Sequence, residues 1–130
     1  MAYVVIYWVS TALLMFVYFS SALLYITKRD VARQGQAGLG YNAENLIDFM
    51  IVIKIVGPLV ILTRFNIGLS DLAYAGIFYH LVLSLLAHLG VRQPKGGIPA
   101  IVSLVFLFGS FLTQNAARIV QSPYAPHFGL

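Results

Sequence analysis

The sequence contains no cysteine, and only 9% of its 130 residues are charged. Without thiols the chain cannot form disulfides, thiolate metal sites, Cys-ligated iron–sulfur clusters or dithiol relays. Histidine-based metal motifs and Gly-rich phosphate loops are also missing, so we predict no metal site. Soluble globular domains have about a quarter of their residues charged. This chain therefore has too little polar surface to cover a soluble globule of its size.

Apolar residues are abundant instead, at 60% of the chain. A membrane-spanning helix needs about 20 mostly apolar residues to cross about 30 Å of hydrocarbon. Four such runs lie at residues 3–27, 46–63, 72–89 and 98–120. We therefore predict an all-α fold, a four-transmembrane-helix bundle that forms a single integral membrane domain. The connections leave no room for a soluble catalytic domain, so we do not expect the isolated chain to be an enzyme.

The sequence also predicts where the helices begin and bend. Asn42 precedes the second run and is a candidate N-cap, and Ser70 or Asp71 is the candidate for the third run. Gly57 and Pro58 lie inside the second run. A proline there removes a backbone hydrogen bond, which predicts a kink.

The net charge of +4 comes from basic residues at helix ends and in connections. They form no continuous stripe, so we expect no nucleic acid partner. Basic residues favour the cytoplasmic side of a membrane. Arg64 and Arg118 lie on one side, and the connections on the other side carry Lys28, Arg29, Arg33, Arg92 and Lys95. We therefore expect a protein of the bacterial inner membrane, in direct contact with the lipid bilayer, with both termini in the periplasm.

Lys54 interrupts the apolar run "IDFMIVIKIVGPLVIL" near its middle. A charge at this depth is costly and needs a partner or a water-filled cavity. Asp48 is six residues away, on a different helix face, and is a poor partner. The middle of the third run is His80, and Ser84 and His88 follow at intervals of four, on one face. We expect Lys54 to meet this polar stripe.

A candidate ligand-binding site therefore comprises Lys54, His80, His88, Tyr74 and Ser84. Polar side chains in membrane helices also serve simply as interhelical contacts, and that alternative stays open. His80 and His88 are about 12 Å apart along one helix, so they cannot ligate one haem together. Haem ligation by a single histidine is not expected either.

A second polar cluster lies toward the opposite end of the runs. Its candidate members are Thr11, Arg64, Asp71, Gln114, Asn115 and Arg118. Either arginine is a candidate ion-pair partner for Asp71. Structural pairing is one interpretation of the cluster. The other is a pocket for the polar head of a lipid or quinone, because a few polar groups at the rim of an apolar cavity suit such a ligand.

Several short motifs occur in a fixed order along the chain. They are "YWVSTALL" in the first run, "LGY" before the second, "KIVGPLVIL" from Lys54, "AYAG" in the third run, and His88 near its end. Together they resemble the DoxX-like family of small four-helix membrane proteins, over roughly residues 7–116. Asn42 stands where that family usually has proline.

The resemblance implies a link to redox processes. DoxX names a membrane subunit associated with thiosulfate:quinone oxidoreduction, and relatives are membrane partners of redox or stress-response enzymes. The positions that match the family pattern are Lys54, Gly57, Tyr74, Gly76 and His88. The resemblance implies a shared site or shared packing there, with Gly57 and Gly76 allowing close helix contact.

We therefore expect an accessory membrane protein that supports a redox process by binding a quinone or a lipid, or by holding a membrane redox enzyme. Lys54, with His80 or His88, would supply the polar end of its pocket. One alternative is a purely structural subunit, either of a larger complex or of a homo-oligomer. The other alternative is a small transporter.

Overall fold

The structure, a computed structural model, describes residues 1–128. Within that range it contains helices and no strands, which confirms the all-α prediction. Four segments are long and apolar enough to cross a membrane, as predicted. The elements in chain order are α1 (Ala2–Thr27), α2 (Arg29–Gly38), α3 (Leu46–Thr63), α4 (Ile67–Gly90), a 3-10 turn (Pro94–Gly97) and α5 (Ile98–Ala117).

The third membrane helix, α4, begins at Ile67 and not at residue 72. Its N-cap is Asn66, whose side-chain oxygen accepts a hydrogen bond from the Leu69 amide at 3.1 Å. Ser70 and Asp71 therefore lie inside the helix, and their predicted capping role is wrong. The sequence alone leaves the start ambiguous, because Asn66, Ser70 and Asp71 are all residues that favour the N-cap position.

The ends of two other helices also differ from the sequence prediction. Helix α3 starts after Asn45, not Asn42, and no side chain caps it. Helix α5 ends at Ala117, three residues before the predicted end at residue 120, because Arg118 adopts an extended backbone. The helix α3 continues through Pro58.

The four long helices form a ring. Helix α1 packs against α3 and α5, and α4 packs against the same two helices. The centre is filled by buried apolar side chains, among them Leu14, Met15, Ile61, Ile77, Leu81 and Leu107. Large apolar side chains also cover the outer surface, as in Phe16 and Val105, which are 70% and 64% exposed. An apolar exterior around an apolar core is the arrangement expected in lipid, and the chain is an integral membrane protein.

Helices α1 and α5 approach each other closely at Gly109. A Cβ atom added to Gly109 would collide with the side chain of Ser10. At Gly76 an added Cβ would meet nothing, and at Gly57 it would make only an ordinary contact with Ile77. Close helix contact therefore depends on Gly109, and the role implied for Gly57 and Gly76 is wrong.

A short helix, α2, covers one end of the ring and was not predicted. It packs against α1 and α3. Arg29 Nη1 forms an ion pair with Asp48 Oδ1 at 2.6 Å, and Gln36 Nε2 donates to the Tyr25 hydroxyl at 3.1 Å. We call this end of the bundle, which also carries the 3-10 turn, the α2 end.

The opposite end, called the terminal end, is covered by residues 118–128. Ser122 and Ala125 in this tail are buried. The ring of Phe128 stacks on Tyr3 of α1, with centroids 4.9 Å apart. The tail is therefore packed onto the bundle, and residue 128 lies at the same end of the bundle as Tyr3.

Candidate functional site

A cavity of about 410 Å³ lies at the α2 end of the bundle. Small-molecule sites commonly have volumes of about 300–1,000 Å³. All five helices and the 3-10 turn contribute to its walls. The polar lining residues are Tyr18, Ser21, Tyr25, Gln36, Lys54, His80, Ser84, His88 and Ser103. The structure thus brings four of the predicted ligand-site residues, Lys54, His80, Ser84 and His88, into one cavity.

Lys54 is buried in the wall of this cavity, with 6% of its surface exposed. Its Nζ atom lies 4.9 Å from the ring centroid of Tyr25 and 5.3 Å from that of Tyr18. Within residues 1–128, Nζ has no hydrogen-bond or ion-pair partner. Attraction to aromatic faces stabilises a cation, but it does not use the N–H donors as a carboxylate would.

His80 pairs with Tyr18 and not with Lys54. The Tyr18 hydroxyl lies 2.7 Å from His80 Nδ1, and the two rings pack edge to face with centroids 5.7 Å apart. Tyr18 is on α1 and His80 is on α4, which are opposite helices of the ring. The expected hydrogen bond between Lys54 and the polar stripe is therefore not formed. Lys54 and the stripe line the same cavity instead.

His88 is oriented by the backbone. Its Nδ1 atom lies 2.8 Å from the Ser84 carbonyl oxygen. A carbonyl can only accept, so Nδ1 carries the proton and donates it. A side chain on Gly96 would collide with the imidazole, so the bare Gly96 backbone makes room for the ring. The ring thus has a fixed place in the cavity wall.

Two further polar groups face the same space. Gln36 donates to the Tyr25 oxygen, which leaves the Tyr25 hydroxyl hydrogen free. Ser103 on α5 is 2% exposed and lines the cavity, and its hydroxyl has no hydrogen-bond partner among residues 1–128. With Lys54, these groups give the cavity hydrogen-bond donors that no group within residues 1–128 uses.

Tyr74 does not belong to this group. Its hydroxyl lies 2.6 Å from the Ser110 hydroxyl, which lies 2.6 Å from Thr11 Oγ1. This chain of hydroxyls joins α4, α5 and α1 in the buried centre. Tyr74 also lines a separate apolar groove of about 500 Å³ between α4 and α5. The Tyr74 hydroxyl therefore helps to hold the three helices together.

Arg64 joins the terminal end of the bundle to the tail. Its Nε and Nη2 donate to the Val120 carbonyl at 3.1 and 2.7 Å, and Nη1 donates to Gln114 Oε1 at 2.8 Å. The residue ends α3 in the left-handed region, with a φ of 50°. Burial lowers the pKa of Arg64, although an arginine keeps its proton at neutral pH.

Asp71 and Asn115 also hold the tail. Both carboxylate oxygens of Asp71 accept from the Ser122 hydroxyl, at 3.0 and 2.9 Å. Asn115 donates to the carbonyls of Ser122 and Ala125, at 2.9 and 3.0 Å. Within residues 1–128 the one ion pair is Arg29 with Asp48, so the predicted ion pairs of Asp71 are wrong.

Arg118 completes the terminal end. It donates to the Tyr7 hydroxyl at 3.0 Å and to the Leu62 carbonyl at 2.9 Å, and its guanidinium lies 5.4 Å from the centroid of the Trp8 ring. The six residues of the predicted outer cluster therefore bond to protein groups. This geometry favours structural pairing over a ligand pocket at that end.

Five polar residues of the cavity wall were not predicted from the sequence: Tyr18, Ser21, Tyr25, Gln36 and Ser103. One signal was available, because Tyr18 and Tyr25 are seven residues apart and share a helix face with the intervening Ser21. Gln36 had no such signal, since it reaches the cavity through a helix that local sequence does not predict.

The family model described as the DoxX-like family matches residues 9–111, which is most of the chain. No curated protein and no solved structure matches the chain.

Proposed function

The chain belongs to the DoxX-like family, and from this premise we propose that it is an accessory membrane protein whose cavity at the α2 end binds the polar head of a quinone or a lipid. In this role it supports a redox process carried out by a partner enzyme. The cavity binds and orients the head group, and the chain itself performs no chemistry on it.

One observation carries the proposal: Lys54 is buried in a cavity wall without a protein acceptor. An intramembrane lysine is expensive, and such residues usually mark a ligand or ion site. The aromatic rings of Tyr18 and Tyr25 hold the ammonium in place. They also give the cavity the mixture of apolar walls and few polar groups that suits an amphiphile with a polar head.

The proposed setting is the bacterial inner membrane, with both termini in the periplasm. The cavity lies at the end that carries α2 and the 3-10 turn, next to the basic residues of the connections. The bias of basic residues toward the cytoplasm then places the head group on the cytoplasmic side. A partner enzyme would meet the ligand there.

The test is to purify the protein in mild detergent, record its absorption spectrum, and identify its bound lipids by mass spectrometry. We expect a quinone or lipid in the wild-type protein and its loss in Lys54→Met. The matched control is Lys28→Met, which removes an exposed lysine at the same end of the bundle. An empty cavity in the wild-type protein contradicts the proposal.

Two other outcomes would support different functions. Copurification with a large enzyme at fixed stoichiometry, with no small molecule bound, would identify a purely structural subunit. Solute transport in liposomes that disappears in Lys54→Met would identify a small transporter.

A further inference from the structure

The cavity at the α2 end contains hydrogen-bond donors that the described part of the protein leaves unpaired. Lys54 Nζ and the Ser103 hydroxyl have no partner among residues 1–128, and both residues are more than nine-tenths buried. The Tyr25 hydroxyl accepts from Gln36 and so retains its hydrogen for another acceptor. These atoms open onto the cavity and are not enclosed by protein, since Ser70 Oγ is the one fully enclosed side-chain polar atom without a partner in residues 1–128. A ligand in the cavity can therefore accept hydrogen bonds from them.

The charge in the cavity is also unbalanced. None of the residues that line it, all of them within 1–128, is an aspartate or a glutamate. The acidic residue nearest in sequence, Asp48, is paired with Arg29 and is largely exposed. A buried cation is normally compensated by an anion, and the protein supplies none to Lys54 here.

Resting on the function proposed above, we infer that the ligand of this cavity is an amphiphile with an anionic oxygen head, a carboxylate or a phosphate, bound by Lys54 with Tyr25 and Ser103 as additional donors. Such a head accepts hydrogen bonds from all three groups and neutralises the ammonium. A neutral quinone carbonyl would accept the hydrogen bonds but would leave the charge uncompensated.

The experiment compares two probes with the same hydrocarbon chain and different heads, oleate and oleyl alcohol. Each is titrated against the purified protein in nanodiscs of phosphatidylcholine at neutral pH, with binding followed by native mass spectrometry. We expect oleate to bind the wild-type protein at least about tenfold more tightly than the alcohol, because charge-assisted hydrogen bonds are about twice as strong as neutral ones. Dioleoyl phosphatidate as a third probe distinguishes a phosphate from a carboxylate source, and tight binding of either supports the inference.

Variants of cavity residues test whether the preference for oleate over oleyl alcohol arises in this cavity. Lys54→Met should bring the oleate to alcohol ratio close to one, whereas Lys28→Met should leave it unchanged. Tyr25→Phe and Ser103→Ala should each weaken oleate binding about threefold, since each removes one hydrogen-bond donor. These two also decide the question if Lys54→Met does not fold: unchanged oleate affinity in both would overturn the inference.

The remaining outcomes separate this inference from the proposed function. The inference of an anionic head bound by Lys54 is overturned if oleate and oleyl alcohol bind equally. It is also overturned if the preference for oleate persists in Lys54→Met. Lys54-dependent binding of a neutral probe, decylubiquinone, without any preference for oleate leaves the proposed function standing and the inference refuted. If no probe binds, both are refuted.

Discussion

The hydroxyl of Tyr18 lies 2.7 Å from Nδ1 of His80 and connects α1 to α4. These helices face each other across the ring, and each packs against α3 and α5 instead. The bond therefore crosses the middle of the bundle, in the wall of the cavity that also contains Lys54. His80 therefore has a structural role in the site. We expect the loss of its side chain to lower the stability of the fold more than the affinity for a ligand.

The first prediction concerns this bond. Interhelical hydrogen bonds in membrane proteins contribute about 0.6 kcal/mol on average and up to about 1.7 kcal/mol. A double-mutant cycle with Tyr18→Phe and His80→Leu should give a coupling energy in that range, measured by unfolding in mixed detergent and SDS. A coupling energy indistinguishable from zero would mean that the two side chains do not stabilise each other.

The second prediction compares two glycines. Gly109→Ala should lower the free energy of unfolding by about 1–3 kcal/mol, because the added methyl group collides with Ser10 at the contact of α1 and α5. Gly76→Ala, where the new Cβ meets nothing, should be neutral or slightly stabilising, since alanine favours a helix. The same SDS titration measures both variants, and a larger loss at Gly76 would contradict the structure.

The four membrane helices could be predicted from the sequence because a long apolar run has few alternatives in lipid. Helix α2 could not. Its sequence, "RDVARQGQAG", is only ten residues long and contains an internal glycine, and so short a helix is marginal on its own even with good helix formers. It is stabilised by distant contacts, the Arg29–Asp48 ion pair and the bond from Gln36 to Tyr25, which no local pattern reveals.

The candidate site, like the fold, could be predicted only in part. Lys54 was recognised because an ionisable residue deep in an apolar run is rare. Its surroundings were not, since they depend on how the helices rotate within the ring. That rotation turns Tyr74 toward Ser110 and brings Tyr18 and Tyr25 against Lys54. The tail contacts of Arg64 and Asn115 could not be predicted either, because an extended segment has no periodic pattern.

The third prediction concerns the tail. Arg64→Met removes three hydrogen bonds to Val120 and Gln114 and should release residues 118–128 from the terminal end. Losing hydrogen bonds from a charged group favours local opening, so trypsin should cleave after Arg118 about tenfold faster than in the wild-type protein. The control is Phe65→Ala, at the adjacent exposed position, which should leave the cleavage rate unchanged. Equal rates in the wild-type protein and Arg64→Met would show that the guanidinium does not hold the tail.

The fourth prediction concerns orientation. An alkaline phosphatase domain fused after Phe128 should be active, because this enzyme folds only in the oxidising periplasm. The same domain inserted after Gln93, in the basic connection before α5, should be inactive. The reversed pattern would place the termini in the cytoplasm and move the cavity to the periplasmic side.

The last prediction separates a binding role for Lys54 from a structural one. In the empty protein its charge is buried without an anion, and methionine fills a similar volume without that desolvation cost. The contacts with the rings of Tyr18 and Tyr25 are lost, but cation–π attraction is worth only about 0.5–2 kcal/mol. Lys54→Met should therefore unfold at higher SDS fractions than the wild-type protein, by about 1 kcal/mol or more, when lipid has been stripped away.

Added oleate should reverse that order, since it stabilises only the protein that binds it. Lys28→Met, measured beside it, should behave as wild type under both conditions, because its side chain is exposed and lines no part of the cavity. A structural lysine would give the opposite result: Lys54→Met would be the less stable protein when stripped of lipid, and oleate would not change the difference. If Lys54→Met is more stable than the wild-type protein without lipid and is no longer stabilised by oleate, then Lys54 is retained for binding. Its presence in that case lowers the stability of the fold.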